Sequence, residues 1–258
     1  MHGLGGDLTA WNPEIRAFLK KGYPVLAIDL RGHGFSGRPA DSKNYAISYF
    51  MQDVLDIIDT ENIHDYILVG HCFGGMVALA LEAFYPNLSN GLILVDTSFK
   101  APFLSVMKAN SEFLAKILSL LSNVAPRDRI KGHVEFDKKF VGTSDFNIRR
   151  VLSDIMHTSL KSYLATCENI LKFNAYDLLN LICVPTLIVA GNEDHIIPIE
   201  IEKKLAQRIS HSQLRILSGN HILVINNPQQ VTNVISEFLT SINGGARQKN
   251  KRSSLLQS

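Results

Sequence analysis

Residues 66–85 read YILVGHCFGGMVALALEAFY, and the change of pattern inside this stretch decides the fold. Tyr66 to Val69 is a short β-branched and apolar run, the composition of a buried strand. Gly70 ends it. From about Gly74 to Tyr85 the apolar residues become continuous and Ala-rich, as in a buried helix, and Pro86 stops them. A strand therefore passes into a helix across Gly70-His71-Cys72-Phe73-Gly74-Gly75 with almost no loop. So sharp a turn crowds the backbone two positions either side of Cys72. Gly70 and Gly74 meet that demand, and Gly75 lets the helix pack closely. A thiol there stands over a helix amino terminus, whose partial positive charge favours a thiolate. The Phe73 amide, free at the helix start, can donate to a developing oxyanion.

Outward from this turn, short apolar runs alternate with amphipathic stretches, the pattern of a mostly parallel sheet flanked by helices. Strands are predicted at Pro24–Leu30, Tyr66–Val69, Gly91–Val95, Pro185–Ala190 and, more weakly, Gln213–Leu217. Helical periodicity covers about 9–21, 45–60, 199–209 and 228–241. From about Ala101 to Leu181 the strands disappear. Amphipathic stretches near 103–122, 147–157 and 159–172 predict a helical cap lying over the carboxyl ends of the strands, where open α/β sheets bind ligands. Phe103, Met107, Phe113, Phe136, Phe140 and Met156 in that segment would line an apolar pocket or, equally, pack on the sheet. The expected organisation is a core over 1–100, a cap over 101–181, core again over 182–243, and a disordered basic tail over 244–258.

Composition narrows the function classes. Hydrophobic residues are 46% of the 258 and charged residues 19%, which excludes a disordered chain. Lys and Arg number 26 against 24 Asp and Glu, so no nucleic-acid partner is expected. No run approaches a membrane span. Three cysteines without repeated spacing suit a reducing, cytoplasmic compartment rather than a disulfide framework. Neither metal-ligand spacing nor a dinucleotide fingerprint is present, so neither metal nor cofactor is expected.

Four further segments surround the Cys72 turn: HGLGG at 2–6, DLRGHGFSG at 29–37, GNEDHIIP at 191–198 and GNHILVINNP at 219–228. Together with GHCFGG at 70–75, in this order and across nearly the whole chain, they resemble the α/β-hydrolase family, and most closely its small capped esterases and lactonases. The resemblance implies that the Leu4 amide joins Phe73 in an oxyanion hole. It further implies that His221 is the general base and Asp194 the acid that orients it, with Asp96 as a rival because some relatives place the acid there. Chemically, His221 would hold the Cys72 proton and return it to the leaving group, while Asp194 would stabilise the imidazolium. His33 and His71 fit packing or hydrogen bonding better than proton transfer, and Asp29 a brace for its turn.

Two departures from the family pattern matter. Cysteine stands where serine is usual; dienelactone hydrolases and polyester synthases share that feature. A thiolate suits thioesters, lactones and activated esters better than amides, so the expected partner is a small, apolar acyl substrate. Hydrolysis through Cys72 leads, with an acyltransferase or a non-catalytic ligand-binding protein on the same residues as alternatives. Second, the family places strands before HGLGG, whereas only Met1 precedes it here. The expectation is an α/β-hydrolase fold without its N-terminal strands, in a chain shortened at its start.

Overall fold

The computed structural model describes residues 1–102, 111–125 and 132–255. Four parallel strands form one sheet in the order β1 (Ile67–His71), β2 (Gly91–Val95), β3 (Thr186–Gly191) and β4 (Ser212–Leu217). The helices are α1 (Asn12–Lys20), α2 (Ile47–Thr60), α3 (Phe73–Phe84), α4 (Ser111–Val124), α5 (Ile148–Thr158), α6 (Leu160–Lys172), α7 (Ile199–Arg208) and α8 (Pro228–Leu255), with single turns at Phe136–Lys139 and Leu223–Asn226. The bounds of α8 include residues 244–255, which composition assigns to a basic tail. Among the described residues no helix is long and apolar enough to cross a membrane.

Side-chain alternation sorts the core into two layers. Leu92 and Leu94 of β2 and Ile188 of β3 face one side, packing with Phe50, Met76 and Leu79 of α2 and α3. Ile93, Val95, Leu187 and Val189 face the other, against Trp11 and the α8 residues Val231, Ile235 and Phe238. Every residue of β2 and β3 is buried, as expected of parallel strands covered on both faces. The register pairs His71 with Val95, Val95 with Val189, and Gly191 with Leu217. The carboxyl ends of the strands thus open onto one rim of the sheet.

Pro24–Leu30 departs from expectation, because its backbone joins no ladder. Its composition suits a strand, but a strand exists only through hydrogen bonds to a neighbour. Met1 takes the free edge of β1: its amino group donates to the Val69 carbonyl at 2.8 Å and its carbonyl accepts from His71 N–H at 3.1 Å. Leu30 N–H goes to His2 Nε2 at 3.0 Å instead, and Val25 and Leu26 are left exposed.

Between β2 and β3 the described residues hold α4, α5 and α6 and no strand. The aromatic residues expected there divide. Phe136 and Phe140 join the core layer around Trp11, whereas Phe113 and Met156 are exposed; Phe103 and Met107 lie outside the described residues. Apolarity told which residues suit an interior but not which interior, since helical periodicity leaves the facing surface open.

Candidate active site

The turn between β1 and α3 carries Cys72 at φ 50°, ψ −115°. A non-glycine residue in that region holds about 1–3 kcal/mol of strain, sustained only where its surroundings over-determine it. They do so here. Cys72 N–H donates to the Val95 carbonyl at 3.0 Å, and the Cys72 carbonyl accepts from Thr97 Oγ1 at 2.6 Å. The glycines set the spacing: a Cβ on Gly70 would stand 2.3 Å from the Gly74 oxygen, and one on Gly74 would stand 2.5 Å from the His2 carbonyl oxygen.

His221 follows β4 and lies across from the thiol. Its Nδ1 meets Asp194 Oδ2 at 2.8 Å, and its ring stands close enough to the Cys72 side chain to interact with it electrostatically. Burial opposes a charged imidazole, but the Cys72 and Asp194 side chains outweigh it and hold His221 well above the ordinary histidine value. Asp194 is itself anchored: its Oδ1 accepts the N–H groups of Ile196 at 2.7 Å and Ile197 at 2.8 Å. Its carboxylate is therefore aimed before any ligand arrives.

Asp96 is also buried in this region, at φ 44° after β2. Its Oδ1 accepts from Gly191 N–H at 2.9 Å, and its Oδ2 has no hydrogen-bond partner. Burial, reinforced by the charge of Asp194, pushes its carboxyl well above the usual carboxylate range. An acid kept neutral in this way is a poor counter-ion for an imidazolium. The carboxylate on the His221 ring is that of Asp194.

The HGLGG segment forms a tight turn closed by Gly6 N–H on the Gly3 carbonyl at 3.1 Å, with Gly5 at φ 76°. Gly3 packs against Cys72, since a Cβ there would lie 3.2 Å from Cys72 Cβ. Among the described residues, neither Leu4 N–H nor Phe73 N–H has an acceptor. Two histidines fix the turn. His33 Nε2 accepts from Gly5 N–H at 3.1 Å, and His2 Nδ1 meets the Gly3 carbonyl at 2.8 Å. Burial pulls His33 down to about 4, so its ring stays neutral and able to accept. His71, pulled by burial to about 3, donates through Nε2 to the His221 carbonyl at 2.7 Å. Asp29 braces its turn by accepting Leu8 N–H at 2.9 Å and Phe35 N–H at 3.0 Å.

The helical segment adds groups that sequence reading missed. Asp154 of α5 and Tyr163 of α6 pack on Gly5, whose Cβ would meet Asp154 Cβ at 2.5 Å and Tyr163 at 3.2 Å. Burial pushes Asp154 up to about 7, partly offset by Arg150 at 3.2 Å. Cys167 stands within electrostatic range of Cys72, its thiol pushed up to about 12 by burial. Nothing in residues 145–167 marks these side chains, because each reaches the site only through helix packing. Among the described residues, no group of three or more His, Cys, Asp or Glu side chains is placed to hold a metal ion.

Comparison with known proteins agrees with this fold. A family model described as alpha/beta hydrolase fold matches residues 1–228. The chain is 26% identical over 243 residues to 3-oxoadipate enol-lactonase 1 of Acinetobacter baylyi, covering 93% of this chain and 87% of that one. It superimposes on the enol-lactonase of Burkholderia xenovorans with a TM-score of 0.69 and 26% identity, covering 93% and 89% of the two chains. An esterase from Thermogutta terrifontis shares the fold at a TM-score of 0.71 and 23% identity, with 93% and 88% covered.

Proposed function

Because the chain belongs to the alpha/beta hydrolase fold family, we propose that it hydrolyses a carboxylic ester, thioester or lactone through an acyl-enzyme on Cys72. The observation that carries this reading is the meeting of three groups: Cys72 on its strained turn, the His221 ring against it, and Asp194 at 2.8 Å behind that ring. The similarity to enol-lactonases favours lactones within the substrate class.

In this mechanism His221 takes the Cys72 proton and faces the thiolate as an imidazolium. The thiolate sulfur bonds to the substrate carbonyl carbon, and the carbonyl electron pair moves onto oxygen. The free N–H groups of Leu4 and Phe73 receive that oxyanion. As the oxyanion collapses, the bond to the leaving oxygen or sulfur breaks and His221 supplies its proton. In a lactone the leaving oxygen stays tethered to the acyl group. Water then attacks the thioester on Cys72, with His221 accepting its proton, and the carboxylic acid departs as the thiolate re-forms. Asp194 holds the ring orientation through both steps and stabilises the imidazolium.

The test is hydrolysis of an aryl acetate, an acyl thioester and a small lactone by wild type and Cys72→Ala, with mass analysis of the rapidly quenched protein. We expect turnover on at least one substrate and an acyl adduct on the Cys72 peptide, both absent from Cys72→Ala. Wild type and variant that are folded and equally inactive on all three would overturn the reading.

A further inference from the structure

We infer that Asp145 is a positioning residue, a single carboxylate from the helical segment that holds the base and acid loops in register. This rests on the reading of Cys72, His221 and Asp194 given above. Asp145 sits in the turn before α5, and its side chain is 2% exposed. Its Oδ1 accepts the backbone N–H of His221 at 2.9 Å. Its Oδ2 accepts the backbone N–H of His195, the residue after Asp194, at 3.0 Å, and meets His195 Nδ1 at 3.3 Å. One rigid carboxylate thus spans the loop after β3 and the loop after β4.

This anchor fixes a degree of freedom that the triad contacts leave open. The 2.8 Å contact between Asp194 and His221 joins two side chains, each free to swing if its loop shifts. The His221 peptide is held at both ends, its N–H by Asp145 and its carbonyl by His71 Nε2 at 2.7 Å. Hydrogen bonds weaken steeply once misaligned, so the ring that faces Cys72 depends on this peptide. Two donors converge on separate oxygens, which requires a carboxylate. An asparagine offers one acceptor oxygen and would turn an NH₂ toward the other N–H. Neighbouring bonds steady the same turn: Arg150 Nη2 donates to the Asp145 carbonyl at 2.5 Å, and Asn220 and Asn226 each donate to the Thr143 carbonyl at 2.9 Å.

The charge state of His221 offers a readout independent of substrate. Facing His221 are Cys72 on the turn before α3, His71 on β1, Asp96 after β2, Asp194 after β3 and Glu202 on α7. A His221 ring held against Cys72 can take its proton, so alkylation of that thiol reports whether the ring is in place. Exposed Cys183 serves as the internal reference, while half-buried Cys167, its thiol pushed up to about 12, should label slowest.

The experiment measures iodoacetamide labelling of each cysteine peptide between about pH 5 and pH 9 in wild type, Asp145→Asn, Asp145→Ala and Arg38→Ala. Arg38 donates to the carbonyls of His157 and Thr158, so its loss loosens the far end of α5 without touching Asp145. In wild type, Cys72 should outpace Cys183. Both Asp145 variants should lower that ratio about tenfold or more and reduce kcat on the ester or lactone with KM little changed. Arg38→Ala should lower Tm with the ratio intact. If Asp145→Ala does not fold, the near-isosteric Asp145→Asn decides. Folded Asp145 variants with the wild-type profile and kcat would overturn the inference alone, as would an equal loss in Arg38→Ala. A wild-type Cys72 no more reactive than Cys183 would overturn the catalytic reading and this inference together.

Discussion

Gly70→Ala tests the turn on which the site is built. The added Cβ would lie 2.3 Å from the Gly74 oxygen, 2.4 Å from the Gly74 carbon and 2.5 Å from the Gly75 nitrogen. All three are backbone atoms, so no side chain can rotate away. Relief requires the first turn of α3 to move several tenths of an ångström off β1. Every residue from Phe73 to Ala83 is buried, so that movement presses into the core on all sides. Overpacking of this kind costs about 1–3 kcal/mol, and a backbone obstacle places this case near the upper end. With a urea slope of about 2 kcal/mol per molar, the unfolding midpoint should fall by about 1–1.5 M. Gly37→Ala is the control, because a Cβ there meets nothing within 4 Å; it should stay within about 0.5 kcal/mol of wild type. The displaced turn should also slow alkylation of Cys72. A Gly70→Ala protein as stable as Gly37→Ala, with Cys72 labelling unchanged, would refute the close strand-to-helix approach described here.

Three further substitutions separate buried carboxyls by role. Asp194→Asn should lower kcat on a lactone or aryl ester by about 10³–10⁴ with little change in KM, whereas Asp96→Asn should stay within about tenfold, because only Asp194 meets the His221 ring; comparable losses in both would contradict the assignment. For Asp154, a carboxyl held up at about 7 favours the fold only while it keeps its proton, so that contribution is complete below its unfolded value and is lost as pH rises through about 7. Asp154→Asn should therefore match wild type near pH 4 and exceed it at higher pH, by up to about 4 kcal/mol, in urea titrations run across that range; a stability difference that does not vary with pH would contradict it.

How much was legible in the sequence follows from the range of the interactions involved. Gly70, Cys72 and Gly74 announce the turn because its steric demand is local, falling on residues two apart. β2 and β3 were legible as continuous apolar runs, since both their faces are buried. Asp194 and His221 are nominated by the resemblance of their segments to α/β-hydrolase motifs, with Asp96 left as a rival acid because it too follows a strand. Pro24–Leu30 shows the limit: apolar alternation proposes a strand, but pairing belongs to the neighbour, and Met1 and His2 take the available backbone groups.

Sequence by itself determined the layered α/β core, the cysteine turn and the candidates for base and acid. Tertiary structure decided which carboxyl meets His221, because Asp96 and Asp194 end adjacent strands and differ in what their oxygens can reach. It also decided which helical side chains matter. Asp145 lies 76 residues before His221 and 50 before His195, and only folding brings its carboxylate to both loops. Local chemistry can be read from neighbours in the chain; a hydrogen bond between distant segments exists only once the core has brought their backbones together.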